Sequence, residues 1–405
     1  MDAVCEVCLN TLSGPILTLG AHPLCDDLIS IGHDPEVTKY LQELKLCKHC
    51  LTAHQVYAVE KELLFKPDYH YRAGLTKDVL KGMEDLVEAT LPNIVNLRTP
   101  VILDVGCNDG SLLGIFKNIM DCITIGVDPT DAILSAKNVI DYPIQEYFNE
   151  HTARSIIDKV GFPDLITFTN VFAHIEDLVE LLNALKILIK PGAILIVENH
   201  YLGAILENSQ FDSFYHEHPR TYSAKSFEFI SKSLGMSIEA IDFPSRYGGN
   251  IRVTMRKQTS TQTFSLPTRV REQEDAFLES FILMQDVYEK WKIQAVNQLA
   301  VLIEKGPIFG KALPGRAVML ISALNITEKE MPVLFEQPNS PKVGFYVPNT
   351  RIEILNDTDL MNLKPDRIIV WAWHIIEEVC QYLLEIGFKG EVWVPLPRFE
   401  LFRVI

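Results

Sequence analysis

Leu103–Leu113 reads LDVGCNDGSLL, an apolar run that passes through a turn containing Gly106 and Gly110 into the start of an amphipathic segment. Glycines in such a turn let the backbone approach a ligand closely, and a nucleotide-binding loop after a first strand suits NAD and S-adenosylmethionine alike. The neighbouring residues discriminate. NAD sites favour G-x-G-x-x-G, whereas here an acid, Asp104, precedes the first glycine, placed to serve the amino-acid end of S-adenosylmethionine. After the next apolar run, GVDP presents Asp128, whose two carboxylate oxygens match the vicinal hydroxyls of a ribose. Asn108 and Gly110 belong to the same loop. Asn170, ending DLITFTN, falls where a fourth strand meets the methionine part of the cofactor, and Phe148, in FNE, is placed to pack on adenine. The expected cofactor site is therefore Asp104, Gly106, Asn108, Gly110, Asp128, Phe148 and Asn170.

Outward from this loop, VILDVG, SLLGIFKNIM, ITIGVD, DLITFTN, DLVELLNALKILI and AILIVEN alternate apolar bursts with amphipathic segments. That alternation predicts a parallel sheet with helices on both faces. A polar helical run, Leu75–Ala89, precedes it as a connector, and a long helical stretch, Arg269–Glu304, follows the strand IRVTMR as a divider. Beyond the divider AVMLISA, KVGFYV, RIIVWAW and GEVWVPLP read as four further strands. The expected class is α/β, with a small N-terminal unit over residues 1–72, a Rossmann-like methyltransferase core over 73–268 and a C-terminal Rossmann-like α/β unit over 269–405.

At 405 residues the chain exceeds what a single core usually serves, which leaves room for clefts between units. A formal charge of -16 argues against a nucleic-acid polymer as partner, because releasing its counterions needs a basic stripe. There is no run pure enough to span a membrane and no basic, apolar leader. A cytoplasmic protein without a membrane partner is expected, with a monomer favoured. In that compartment the cysteines read as thiols, not as disulfides. Cys5 with Cys8 and Cys47 with Cys50 form two CxxC knuckles, and two such pairs make a closed tetrahedral four-thiolate zinc site of structural role. Cys25 and His49 lie outside the double-knuckle pattern and read as packing or surface residues.

FDSFYHEH, Phe211–His218, follows the AILIVEN strand and concentrates groups that titrate or hydrogen-bond near neutral pH. Tyr215, Glu217 and His218 are expected to line one cavity; the bland alternative is a surface loop with satisfied imidazoles. With this segment in place the chain resembles the sugar C-methyltransferases, which methylate carbon 3 of a nucleotide-linked 4-keto-6-deoxy sugar. The resemblance rests on the paired CxxC knuckles with GAHPLCDDLI between them, YHYRAG at 69–74, LDVGCNDGSLL, NVFAHIEDL at 170–178, YHEH, and GGNIRV at 248–253. It implies a zinc-bearing N-terminal domain, a central S-adenosylmethionine domain and a C-terminal domain that helps to hold the nucleotide-linked keto-deoxysugar. It also implies His218 as the base, with Tyr215, Glu217, His174 and Tyr71 lining the reaction site and Tyr71 favoured over Tyr69. The chain departs from the family pattern at Pro314 and Arg316 in GKALPGRAVML, at Tyr247 before GG, and at His374 after Trp371, Ala372 and Trp373. Those departures bear on which nucleotide-sugar is bound. An O- or N-methyltransferase, or a scaffold that binds the cofactor without catalysis, are the alternative readings.

Overall fold

The computed structural model describes residues 3–258 and 264–405. The first strands are β1 (Ile16–Pro23), β2 (Ile29–Ser30), β3 (Lys39–Leu46) and β4 (Ala53–Gln55). The central region carries β5 (Val101–Val105), β6 (Ile123–Val127), β7 (Tyr142–Ile144), β8 (Leu165–Thr169), β9 (Ile194–His200), β10 (Arg220–Thr221), β11 (Ser237–Asp242) and β12 (Asn250–Arg256). The C-terminal region carries β13 (Phe309–Lys311), β14 (Val333–Glu336), β15 (Phe345–Tyr346), β16 (Glu353–Asn356), β17 (Arg367–Val370), β18 (Glu391–Val394) and β19 (Glu400–Val404).

The central sheet has the order β11-β12-β9-β8-β5-β6-β7. Strands β5 to β9 run parallel, and β12 pairs antiparallel with β9. Ile102, Leu103, Leu165, Ile166 and Phe168 are fully buried, as expected of parallel strands covered on both faces. The chain leaves β5 towards β6 on one side and returns to β8 on the other. The crevice at the carboxyl ends of β5 and β8 is thus the topological switch point where such sheets bind ligands.

The three regions are interleaved. β10 of the central region completes the N-terminal sheet, ordered β1-β3-β4-β10, and β2 of the N-terminal region closes the edge of the C-terminal sheet through β15. That C-terminal sheet is ordered β19-β18-β17-β13-β14-β16-β15-β2, its five inner strands parallel. The expected divider is present as two helices, Thr268–Asp275 and Phe277–Ile303, and the connector as Lys77–Ile94. From the long helix Tyr288 donates to the carbonyl of Leu19 at 2.8 Å and Trp291 to that of Pro395 at 2.7 Å, so this helix joins the N-terminal sheet to the C-terminal unit.

One expected strand is not a strand. AVMLISA lies within the helix Gly315–Ala323, and the strand of that region is the shorter FGK ahead of it. The helix contacts β1 on one side and the 3-10 turn Phe211–Ser213 on another, and its residues from Arg316 to Ile321 are all buried. A helix covered all round has no polar face to reveal a 3.6-residue period, so its sequence looks like a buried strand. KVGFYV, likewise, is extended only at Phe345–Tyr346.

Candidate active site

The cofactor loop forms as its glycines require. Gly106 has φ 71, and a Cβ there would meet the side chain of Val171 at 2.4 Å, so another residue would strain the backbone and displace the neighbour. Gly110, with φ 76, caps the helix Ser111–Ile119 from behind the loop and lies outside the lining of the cleft. Asn108 fastens the loop to the segment before it: its Oδ1 accepts from the amide of Ala73 at 3.0 Å and its Nδ2 donates to the carbonyl of Tyr71 at 3.2 Å. Asp109 accepts from the amide of Gly74 at 2.7 Å. YHYRAG is thereby clasped against the cofactor loop.

Asp104, Gly106, Asn108, Asp128, Phe148 and Asn170 all line one cleft of about 730 Å3, a size suited to small-molecule ligands. Asp104 is buried, its Oδ1 accepts from Thr167 at 2.7 Å, and burial pushes its carboxyl up to about 7. Asp128 accepts from the amide and hydroxyl of Thr130 at 2.9 and 2.6 Å and from the amide of Asn108 at 2.9 Å. Three of its roughly four lone-pair positions are therefore in use, which fixes the carboxylate and leaves room for fewer hydroxyl bonds than a free one offers. Asn170 has φ 54, its Oδ1 accepts from Asn250 at 3.1 Å, and its Nδ2 is buried with no partner among the described residues. Phe148 meets Phe168 edge-on at 6.2 Å. Asp128→Ala is expected to weaken S-adenosylmethionine binding by about 10-fold or more, since a hydrogen bond to a charged group is worth about 1.5–3 kcal/mol. Calorimetry that returned native affinity would remove Asp128 from the site.

The same cleft contains Tyr69, Tyr71, His174, His200, Tyr215, Glu217 and His218. Gln55, at the end of β4, donates to the carbonyls of Tyr215 and His218 at 2.8 and 3.0 Å, so the N-terminal sheet holds the YHEH loop in place. His218 places Nδ1 2.8 Å from the carbonyl of Ser213. A carbonyl only accepts, so Nδ1 bears the proton and Nε2 keeps a free lone pair. Burial pushes this imidazole down to about 4, and the rings of Tyr215, His174 and His200 surround it at 4.3, 4.7 and 5.1 Å. Glu217 is buried, and burial pushes its carboxyl up to about 7. It accepts from the hydroxyl of Tyr69 at 2.9 and 3.1 Å and from the thiol of Cys25 at 2.6 Å, and His174 Nδ1 stands 3.8 Å away.

Some expectations are revised by this geometry. Tyr69 meets Glu217, whereas the hydroxyl of Tyr71 lies 3.3 Å from that of Tyr247. Cys25 is neither a plain packing residue nor a surface one but a buried partner of the central carboxylate; its role was hidden because Glu217 is 192 residues away. His49 is exposed, as expected. His216 turns out of the cleft, with Nε2 3.1 Å from the carbonyl of Tyr40. His200 drew no notice in the sequence, where its one signal is that it ends a parallel strand. Arg316 forms a two-pronged pair with Asp212 at 2.8 and 2.7 Å, donates to Ser213 and to the carbonyl of Tyr247, and lies 4.8 Å over the Trp373 ring. This departure from the family pattern thus bolts the C-terminal helix to the loop that carries the YHEH cluster.

Burial of imidazoles inside and outside the cleft also sets a pH dependence of stability. His22 and His218 are held down to about 4 and His374 to about 3, with His174, His200 and His216 lowered as well, all chiefly by burial. Between those values and an unfolded value of about 6.5 the unfolded chain binds more protons, so stability is lost as pH falls through that window. Asp104 and Glu217, raised to about 7, and Asp128 and Glu274, also raised by burial, act in the opposite sense but are outnumbered. The melting temperature should therefore be lower at pH 5 than at pH 7; calorimetry showing it equal or higher would contradict these environments.

At the N-terminus the Sγ atoms of Cys5, Cys8, Cys47 and Cys50 lie within 4.8 Å of one another. Cys5 and Cys50 approach to 3.4 Å and Cys8 and Cys47 to 3.6 Å. Each knuckle is followed by a leucine with positive φ, Leu9 at 60 and Leu51 at 57, whose amide donates to the carbonyl of the first cysteine. His54 Nε2 stands 3.2 Å from Cys5 Sγ. The four sulfurs match the donor set and compactness of a closed zinc site. No helix of the described residues is long and apolar enough to cross a membrane.

Residues 75–241 match the family described as methyltransferase domain, and residues 245–397 that described as C-methyltransferase C-terminal domain. C-methyltransferase NovU of Streptomyces niveus is 24% identical over 407 residues, covering 97% of this chain and 96% of that protein. Solved structures that match part of the chain include a SAM-dependent methyltransferase from Anabaena variabilis, at 17% identity and TM-score 0.35 over 44% of this chain and 85% of that one. Magnesium protoporphyrin IX methyltransferase from Synechocystis, with bound SAM, is similar at 14% identity and TM-score 0.35 over 50% of this chain and 99% of that one. The sheet, its switch-point loop, the two family matches and the likeness to NovU define an S-adenosylmethionine-dependent methyltransferase. Over nearly its whole length the chain is similar to a C-methyltransferase.

Proposed function

We propose that the enzyme methylates carbon 3, beside the ketone, of a nucleotide-linked 4-keto-6-deoxy sugar, with His218 as the base. The observation that carries this reading is the His218 tautomer: with Nδ1 committed to Ser213, a lone pair remains on Nε2 inside a buried cleft. Hydrogen beside a ketone is acidic because the electron pair left behind spreads onto oxygen. His218 takes that proton and becomes imidazolium, while the C–H pair forms the enolate. Burial disfavours the imidazolium, and the enolate formed beside it offsets part of that cost. Tyr215 offers a hydroxyl donor at the same place, while Tyr69 donates to Glu217, and Glu217 with His174 supplies a second proton-exchanging pair.

Asp104, Asn108, Asp128 and Asn170 would hold S-adenosylmethionine, with Phe148 against its adenine and Gly106 admitting it to the backbone. When bound, it supplies an electrophilic methyl group for the activated carbon. The remaining work of the protein is alignment and the exclusion of water. The four cysteines would hold one structural zinc, residues 1–72 would position the YHEH loop, and residues 269–405 would hold the nucleotide part of the substrate. The test is turnover on a panel of 4-keto-6-deoxy sugars linked to thymidine, uridine and guanosine diphosphate. A one-methyl mass increment on a member of this panel is expected; none on any member, with a catechol or amine methylated instead, would replace the reading by an O- or N-methyltransferase.

A further inference from the structure

The proton of His218 sits on Nδ1 because the Ser213 carbonyl, 2.8 Å away, can only accept. A neutral imidazole freed of that partner can carry its proton on either nitrogen, and with the proton on Nε2 it shows the cleft a donor and no lone pair. Whatever keeps the Ser213 carbonyl in line therefore decides whether His218 can act as a base. Ser213 ends a 3-10 turn of three residues, Phe211–Ser213, and the poor hydrogen-bond geometry of so short a turn does little to fix a carbonyl.

The C-terminal unit supplies what the turn lacks. Arg316, in the first turn of the helix after β13, donates from Nε and Nη2 to the two oxygens of Asp212 at 2.8 and 2.7 Å, and from Nη2 to Ser213 Oγ at 2.7 Å. Trp373, three residues beyond β17, donates from Nε1 to Asp212 Oδ2 at 2.8 Å, and the guanidinium lies over its ring. Asp212 and Ser213 are fully buried, so neither is held by solvent. Arg316 also donates to the carbonyl of Tyr247 at 3.1 Å and to Gln210 Oε1 at 3.3 Å. Four of its five N–H groups are thereby engaged, so although Arg316 lines the cleft it serves the turn and not a ligand. Both donors stand at the carboxyl ends of β13 and β17, which pair directly, and they act on Asp212 as one clamp.

We infer that Arg316 and Trp373 are positioning residues for the base: through Asp212 and Ser213 they aim the Ser213 carbonyl at Nδ1 of His218 and so keep Nε2 free for the substrate carbon. The inference rests on the reading of His218 as the base. Gln55 holds the carbonyls of Tyr215 and His218 from the N-terminal sheet, so the base is fixed from both flanking units.

The test reads the ring and the reaction separately. Nitrogen-15 NMR of the histidine-labelled enzyme at pH 7, where burial keeps the ring neutral, reports which nitrogen of His218 carries the proton, the signal being assigned by its loss in His218→Asn. The native enzyme should show the Nδ1–H form alone. Arg316→Ala leaves the buried Asp212 carboxylate without its cation and endangers folding. Arg316→Lys, which keeps the charge but not the fork, and Trp373→Phe, which keeps a ring but not the donor, are therefore the variants measured, with native S-adenosylmethionine affinity marking a folded enzyme. In each, the Nε2–H form should appear. Turnover of the sugar that the native enzyme methylates fastest should fall by about 10-fold or more in kcat with KM near native, since a small misplacement of a reacting group costs up to about 100-fold. Loss of a merely structural contact would lower the melting temperature and leave the tautomer alone.

The Nδ1–H form and native kcat retained in both variants, with His218→Ala inactive, would overturn the inference and leave the base reading standing. Near-native turnover in His218→Ala would remove the base reading and the inference with it, whatever the tautomer.

Discussion

His218→Ala is expected to reduce methyl transfer by about 100- to 10,000-fold, the usual cost of losing a general base, while S-adenosylmethionine affinity stays near native. The expectation follows from the Ser213 carbonyl, which commits Nδ1 as donor and leaves Nε2 free, and from burial, which keeps the ring neutral. The pH profile carries the same signature. A base must be unprotonated, and with its value lowered to about 4 the imidazole stays competent as pH falls from 8 to 5. An unperturbed imidazole would lose half its base form near 6.5. Any inflection near 7 then belongs to Glu217 or Asp104, and Glu217→Gln tells the two apart. Exchange of the acidic hydrogen in deuterated water, where the native enzyme supports it, should vanish in His218→Ala and His218→Asn alike. Near-native turnover in His218→Ala would move the base to Tyr215, Glu217 or His174; His216 is out of contention because it faces away from the cleft.

The Cys5→Ser, Cys47→Ser double variant, with one thiolate removed from each knuckle, is expected to lose about one zinc per chain. Structural zinc in small sites contributes roughly 10–16 kcal/mol of apparent binding free energy, so a large fall in melting temperature should follow. The loss should reach the chemistry. The carbonyl of Cys50 accepts from Ser223 and Ser226 at the start of the helix Ala224–Leu234, and Gln55, a few residues further on, holds the carbonyls of Tyr215 and His218. Methyl transfer should therefore drop steeply, whereas cofactor affinity, set by the central sheet, should fall far less. An unchanged metal content in this variant would exclude the four-cysteine site, and full activity with zinc removed would break the link between the knuckles and the YHEH loop.

What could be read in the sequence was local. Gly106, Asp104 and Asp128 lie on or next to strand ends whose apolar runs announce them, and the loop chemistry fits in one short stretch. The knuckles are equally compact, since each spans four residues. Contacts across long separations left no trace: Cys25 with Glu217, Gln55 with the YHEH loop, and Arg316 with Asp212, which is 104 residues earlier. Arg316 read as a departure without a reason, and its reason is an ion pair that only the folded chain assembles. AVMLISA misled because its helix is covered on every side, so that burial erased the period that separates helix from strand. His200 was overlooked for the opposite cause, because a lone imidazole at a strand end carries no pattern until the fold brings His218 near it.

Carbon methylation is the central claim, and locating the transferred methyl by NMR on the isolated product tests it most directly. Native enzyme given a labelled methyl donor and the preferred nucleotide-linked 4-keto-6-deoxy sugar should yield a product whose labelled carbon is bonded to ring carbon 3, and His218→Ala should yield none. A label bonded to oxygen or nitrogen, or a carbon-methylated product formed as fast by His218→Ala as by the native enzyme, would contradict it.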